Sequence, residues 1–480
     1  MSNFQDRRVL ARLLLVAILM PLLGISAGSH DVRRELSNAQ QSLTHNFFRT
    51  ASDQIASAAH MLPARADLWE TAGRYALQSG DAQAALQDFD TAAQTGLSPQ
   101  GLLDYGDAYQ QTGDLPAAVR VWTAAEAAGA LRAPLFQRLW QAQLKLGDIP
   151  AAIQSLKSLI ALQPADAQLS YRLGLLLATQ HPDDALASLA LAAQLDPSLS
   201  QSVDKLQRNI AAAQREDDLA YSLLAAGRTL AALNEWGLAT VAFQQAVHAR
   251  PDYAEAWAFL GEARQHLPPD EAADSSEDGL ADLQKAVELD PKSLSATTFL
   301  AIYWKRHQEY DRALEVLQSA IKLAPQNPAL QVELGDTLAN SGDLDQALQA
   351  YLQAADLAPQ DITYLQTLAD FSLKYEYQLH EVALFAARRA VNLDPHSPAA
   401  LDLMGQVLIK LNDLENAERF LQRALQADEN YAPTHMHLGV IYMLDGDTTR
   451  AYQELNLAQS LDPDGPVANQ SERLLKSYFP

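Results

Sequence analysis

The sequence predicts an all-α protein that consists of repeated helix pairs, preceded by a short apolar helix for export or anchoring. Three observations support this prediction. Glycine is scarce, with 21 in 480 residues, whereas alanine is abundant; alanine is the best helix former and glycine among the worst. Prolines recur at a fixed interval along the chain, and small residues recur inside each interval. We therefore expect strand content close to zero.

The first segment has the three parts of a secretory signal. Arg7, Arg8 and Arg12 precede an uncharged apolar stretch at residues 13–27, and small residues follow it. The stretch has 15 residues, fewer than the ~20 that span a bilayer comfortably, so a cleaved signal and an uncleaved anchor both remain open. In either case the positive flank should keep the N-terminus in the cytoplasm and send residues 30–480 across the membrane.

The proline spacing defines the repeat. From Pro291 the intervals to Pro325, Pro359 and Pro395 are 34, 34 and 36 residues, and the next interval, to Pro463, is 68, which equals two units of 34. A fixed period of this length is typical of solenoids. Each proline should stop one helix pair and start the next.

A second pattern recurs inside each unit. The first helix carries a glycine, such as Gly73 or Gly106, which lets a neighbouring helix approach closely. The second helix carries alanines and a large residue that fills the space between units; these large residues include Phe89, Trp122, Phe243 and Tyr351. Gly-Asp turns should end the first helix and cap the second. They are Gly80-Asp81, Gly113-Asp114, Gly147-Asp148, Gly342-Asp343 and Gly446-Asp447.

These residues resemble the tetratricopeptide repeat family, in which a 34-residue helix pair shows this spacing of large residue, glycine, alanine, aromatic residue and proline. The resemblance covers nearly all of residues 66–463 and implies a right-handed superhelical α-solenoid whose inner wall is lined by the first helices. The predicted segments are 1–29, signal peptide or signal anchor; 30–65, linker or degenerate first repeat; 66–197, repeats; 198–217, an inserted helix; 218–463, repeats with an acidic loop at 268–279; and 464–480, a C-terminal capping helix.

Composition and motifs argue against several functions. The chain has 35 basic and 59 acidic residues and a net charge of −24, whereas a nucleic-acid binder normally shows a basic excess. It has no cysteine, which excludes disulfides, thiolate metal sites and a cysteine nucleophile. His380-Glu381 begins like a zinc-protease helix, but position 384 is leucine. His435 and His437 are two residues apart and should point to different faces of a helix. We therefore predict a non-enzyme without catalytic residues, cofactor or metal.

The resemblance implies a protein that binds other proteins. Family members contact ligands mainly through first-helix positions, which correspond here to residues that include Glu70, Arg74, Asp107, Glu262, Lys305 and Asp370. The more apolar stretch is the predicted anchor for a partner peptide or helix, and its residues are Tyr171, Leu175, Tyr221, Leu224 and Arg228. Packing against the neighbouring helix is the alternative role for these residues.

The leading hypothesis is an interaction scaffold, exported across the cytoplasmic membrane and either anchored to its outer face or released after signal cleavage. Its partners would be other proteins, with no nucleic acid, and the membrane would be contacted through residues 1–29 if these are uncleaved. The alternative is an accessory or assembly subunit of an envelope enzyme or of a machine for protein or polysaccharide secretion.

Overall fold

The computed structural model describes residues 30–129, 132–267, 279–463 and 465–479. The predicted export segment, residues 1–29, and nearly all of the acidic loop predicted at 268–279 lie outside this part of the chain. The described residues form 26 α-helices and no β-strand, which confirms the all-α prediction for them. The described residues divide into two compact units, one up to Leu233 and the other from Asn234 onward.

The first unit contains twelve α-helices within its described residues, most of them joined in antiparallel pairs by short turns. They are α1 (His30–Thr44), α2 (Phe48–Met61), α3 (Ala66–Gln78), α4 (Ala82–Ala93), α5 (Pro99–Gln111), α6 (Leu115–Ala127), α7 (Ala133–Lys145), α8 (Ile149–Leu162), α9 (Ala167–Ala178), α10 (Pro182–Leu195), α11 (Ser200–Ala213) and α12 (Leu219–Ala232).

The second unit contains fourteen α-helices within its described residues. They are α13 (Trp236–Ala249), α14 (Ala254–Arg264), α15 (Leu280–Leu289), α16 (Leu294–Arg306), α17 (Tyr310–Leu323), α18 (Pro328–Ser341), α19 (Leu344–Leu357), α20 (Ile362–Lys374), α21 (Leu384–Leu393), α22 (Pro398–Lys410), α23 (Leu414–Ala427), α24 (Ala432–Leu444), α25 (Thr448–Leu461) and α26 (Pro466–Tyr478).

The five predicted Gly-Asp turns are confirmed. At the first of them, Gly80 has φ +84° and the Asp81 carboxylate accepts a 2.9 Å hydrogen bond from the Ala84 amide. The other four repeat this arrangement, with a positive φ at the glycine and an aspartate that accepts from the amide three residues later. At two corresponding turns without glycine, Gln308 and Asn412 adopt the left-handed conformation instead.

Glycines of first helices lie directly under large side chains of second helices. A Cβ atom at Gly335 would lie 2.9 Å from the Tyr351 ring, and one at Gly73 would lie 3.0 Å from the Phe89 ring. Each of these rings also contacts an aromatic residue of the next pair, as Phe89 does with Tyr105, at a centroid distance of 5.6 Å. The large residues therefore fill the space between units, as predicted, and they do so by resting on a glycine of their own unit.

Two places depart from the regular pairing. The interval from Pro359 to Pro395 has two residues more than the usual 34. The chain accommodates them after α20, where Gln378 has φ +50° and residues Leu379–Ala383 form a π-helical turn. In the first unit α11 lies between a regular pair and α12, and it buries Val203, Leu206 and Ile210 completely.

At the C-terminal end α26 packs on α24 and α25 and covers their apolar side chains.

Candidate functional site

First helices of successive pairs lie side by side in each unit, and ion pairs join them. In the first unit the Arg74 guanidinium on α3 lies 2.6 Å from the Asp104 carboxylate on α5. Arg138 on α7 makes two bonds, of 2.5 and 2.8 Å, to Asp107 on α5. We call α3, α5, α7, α9 and α12 the first-helix face of the first unit, and within it α12 packs on α9.

The second unit repeats the arrangement. Arg306 on α16 lies 2.8 Å from Glu262 on α14, and Lys305 on α16 lies 2.5 Å from Glu333 on α18. Further along, α22 and α24 are joined by Asp402 and His437. Helices α14, α16, α18, α20, α22 and α24 form the first-helix face of the second unit.

Several polar residues of these faces hold the repeats together. Burial raises the pKa of Asp107, and the Arg138 hydrogen bonds and charge oppose that rise. The buried Glu70 carboxylate accepts bonds from the Ser98 amide and hydroxyl, at 2.5 and 2.6 Å, just before α5 begins. Positions at which family resemblance indicates ligand contacts thus already have partners inside the protein.

The five predicted partner-binding residues divide by burial. Leu175 on α9 and Leu224 on α12 are buried, with exposed fractions of 0% and 1%. Tyr171 is half-buried, Arg228 is exposed, and Tyr221 is 41% exposed. Tyr171, Arg228 and Tyr221 therefore offer surface to a partner in this conformation, whereas Leu175 and Leu224 do not. The assignment of all five residues to partner binding stays a prediction.

Beside Tyr221 a cavity of 350 Å³ opens where the inserted helix joins α12. Four of its nine lining residues are aspartates and none is lysine or arginine. The cavity is lined by His181, Pro182, Asp183, Asp184, Gln214, Asp217, Asp218, Leu219 and Ser222. The start of α12 therefore lies beside the turn that ends α9, whereas the regular neighbours α3 and α5 meet start to start, through Glu70 and Ser98.

Family models described as tetratricopeptide repeat match four segments of this chain. They cover residues 138–200, 271–328, 302–362 and 408–471. Among the features described above, these segments contain the turns Gly147-Asp148, Gly342-Asp343 and Gly446-Asp447 and the ion pair of Lys305 with Glu333. In these segments the chain is a tetratricopeptide repeat protein.

Solved structures similar to this tetratricopeptide repeat protein include yeast Tom70, with 15% identity over 93% of this chain and 95% of that chain and a TM-score of 0.44. The Cut9–Hcn1 hetero-tetramer of APC/C shows 14% identity, covers 97% and 99%, and has a TM-score of 0.35. A thermophilic tetratricopeptide repeat protein of Thermus thermophilus shows 22% identity, covers 43% and 100%, and has a TM-score of 0.31. No curated protein matches by sequence.

Metal-ligating side chains do not converge in the described part of this tetratricopeptide repeat protein, where no group of three or more His, Asp or Glu could hold a metal ion. His435 Nδ1 lies 2.6 Å from Glu454 on α25, whereas His437 Nδ1 lies 3.0 Å from Asp402 on α22. The two histidines therefore point to different faces, as predicted. Among residues 30–129, 132–267, 279–463 and 465–479, no helix has both the length and the hydropathy to cross a membrane.

Sequence reasoning missed the ion pairs between first helices of this tetratricopeptide repeat protein. A usable signal was present, because opposite charges recur about one repeat apart on successive first helices. Arg74 and Asp104 are 30 residues apart, Asp107 and Arg138 are 31 apart, and Lys305 and Glu333 are 28 apart. Charge alone does not reveal which acidic residue pairs with a given arginine or lysine, since the chain has 59 acidic residues.

Proposed function

We propose that this tetratricopeptide repeat protein is a non-enzymatic scaffold that binds peptides or helices of partner proteins along its first-helix faces. The observation that supports this proposal is the side-by-side packing of consecutive first helices, seen in the ion pairs of Arg138 with Asp107 and of Lys305 with Glu333. Such packing gives an extended ligand several repeats to contact. Tetratricopeptide repeat proteins are generally non-enzymatic interaction scaffolds.

Within this proposal, the partner is anchored beside α11. Leu219 and Tyr221 on α12 are 52% and 41% exposed, and large apolar side chains that become buried contribute much of the energy in most interfaces. The aspartates of the adjacent cavity favour a partner with basic residues, by an attraction that salt weakens. Tyr171, Tyr221 and Arg228 would contact the partner directly, while Leu175 and Leu224 would support them from the core.

Export and tethering also remain proposals, and they rest on the arginines and apolar stretch of residues 1–29. The same proposal includes the right-handed superhelix, the assignment of segments to repeats and insertions, and the location outside the cytoplasm. An accessory subunit of an envelope enzyme or secretion machine is the second candidate, because export would place the scaffold beside such assemblies.

Site-specific photo-crosslinking in cells tests the proposal. A photoreactive tyrosine analogue at Tyr221 should give a discrete adduct with a partner protein. The matched control is the same analogue at Tyr452, which is 51% exposed but lies on the second helix α25. Adducts at Tyr452 without adducts at Tyr221 would contradict docking beside α11. The identity of the adduct separates a general scaffold from a subunit of an envelope machine.

A further inference from the structure

A buried carboxylate joins two neighbouring first helices in the second unit. Asp402 on α22 is 5% exposed. It accepts a 2.9 Å hydrogen bond from the Thr434 hydroxyl, and its two oxygens lie 3.0 and 3.1 Å from His437 Nδ1. Because Thr434 and His437 both belong to α24, Asp402 holds α24 against α22.

A second carboxylate extends the cluster to α20. Asp370 reaches the solvent, but neighbouring atoms crowd it, and this partial desolvation raises its pKa. The charge of His437 opposes that rise, and the charge of Asp402 adds to it. Asp370, Asp402 and His437 therefore interact across three consecutive first helices.

Charged groups on the other elements around α24 have different partners. Glu418 on α23 accepts from the Tyr442 hydroxyl at 3.2 Å, and Glu454 on α25 bonds His435. On α26, Glu472 pairs with Lys476. Among the described residues, His437 is thus the basic side chain that is bonded to Asp402, and it is cationic when it is protonated.

Two nearby titratable groups have distinct behaviour. Burial, with the charges of Asp402 and Asp428, raises the pKa of Tyr431 to about 12, so that its hydroxyl stays neutral near physiological pH. For His437 burial acts to lower the pKa, but the charge and hydrogen bond of Asp402 and the charge of Asp370 prevail and raise it above 6.5.

We propose that protonation of His437 locks α24 onto α22, so that the stability of the C-terminal repeats depends on pH. The protonated imidazole compensates the buried Asp402 charge and is also stabilised by the charge of Asp370. After deprotonation a neutral ring faces two carboxylates, and a buried charge that lacks a counter-charge is unfavourable. Since His437 binds its proton more tightly in the folded state, its contribution is complete below pH 6.5 and is lost as pH rises through its folded-state pKa.

Hydrogen exchange on the full chain, corrected for the intrinsic effect of pH, tests this proposal. Peptides from α22 should lose protection progressively as pH rises above 6.5, while peptides from α8 and α9 keep theirs. His437→Gln, which retains a hydrogen-bond donor but no titratable proton, should remove the pH response of α22. His435→Gln is the matched control, because His435 lies two residues away, bonds Glu454 and should leave the α22 response intact.

Two results would overturn the proposal. One is constant protection of α22 in the wild-type protein across this pH range, which needs no variant at all. The other is an unchanged response in His437→Gln. If His437→Gln is too unstable to measure, Asp402→Asn serves instead; it keeps the shape of the side chain, removes the charge that favours the imidazolium, and should flatten the response of α22 as well.

Discussion

Gly106 on α5 lies under the indole of Trp122 on α6 so closely that a Cβ atom at position 106 would be 2.2 Å from Trp122 Nε1. The same nitrogen donates a 3.2 Å hydrogen bond to the Leu103 carbonyl, one turn before the glycine. Both the close approach and the hydrogen bond therefore hold the indole against the α5 backbone. This contact brings the two helices of the pair to their observed spacing.

Gly106→Ala should destabilise the protein, by about 1–3 kcal/mol if the indole has to shift. Gly73→Ala is the matched comparison, because its Cβ would lie 3.0 Å from the Phe89 ring, a contact that a small shift relieves. Alanine also favours helix over glycine by about 1 kcal/mol, which offsets part of the cost at position 73. Urea unfolding of both variants should rank Gly106→Ala as the more destabilised; the reverse order would contradict the packing described here.

The caps at the Gly-Asp turns give a second prediction. Asp114 accepts a 3.0 Å bond from the Ala117 amide at the start of α6. Asp114→Ala should cost about 0.5–2 kcal/mol because that amide loses its partner. Asp114→Asn should be nearly neutral, since asparagine caps helices about as well as aspartate. Thermal unfolding of the two variants measures the difference, and equal losses would show that the cap contributes nothing beyond charge.

Asp88 on α4 should make stability fall as pH rises. Burial, together with the charges of Asp53 and Asp81, raises its pKa to about 7, against roughly 3.9 in an unfolded chain. The folded state therefore binds this proton more tightly, and the contribution of Asp88 declines between about pH 4 and pH 7. Asp88→Asn should be more stable than the wild type at pH 8 and equal to it near pH 4.

The control for this prediction is Asp204→Asn on α11, where the aspartate is exposed. It should show the same stability as the wild type at both pH values. Chemical denaturation at pH 4 and pH 8 provides the measurement. A stability gain for Asp88→Asn that is as large at pH 4 as at pH 8 would mean that titration of Asp88 is not the cause.

Tyr221 and Leu224 should respond differently to replacement by serine. Leu224 is 1% exposed, and truncation of a buried leucine costs about 2–5 kcal/mol. Tyr221 is 41% exposed, and substitutions at the surface usually change stability by no more than about 0.5 kcal/mol. Tyr221→Ser should therefore reduce partner recovery at an unchanged melting temperature, and Leu224→Ser should lower the melting temperature. Full partner recovery by Tyr221→Ser would remove this residue from the docking site.

The predicted export can be measured with a reporter enzyme that is active only outside the cytoplasm. Fused after Pro480, it should be active, and charged replacements of Leu15, Val16 and Leu19 should abolish that activity. Each charge at the centre of an apolar segment costs on the order of 2.5–3.5 kcal/mol on insertion scales. An inactive reporter on the unmutated chain, with the fusion protein intact, would contradict the proposed topology.

Helices and turns were largely predictable because their causes lie close together along the chain. The pairing of Gly80 with Asp81 predicts both the end of α3 and the cap of α4, and the glycine at position 335 predicts the large residue that packs on it. The left-handed turns at Gln308 and Asn412 were harder to predict, since no glycine occurs at these positions.

Contacts between repeats could not be predicted from local sequence in the same way. Nothing near Asp402 in the chain indicates that it bonds His437, 35 residues away, and the periodicity that places Leu224 and Tyr221 on one helix does not tell which of them is buried. Helix periodicity and turn chemistry act over a few residues, so composition and spacing are sufficient for them. Burial and ion pairing depend on how distant helices stack, and in this chain the extra helix α11 changes that stacking at the predicted docking site.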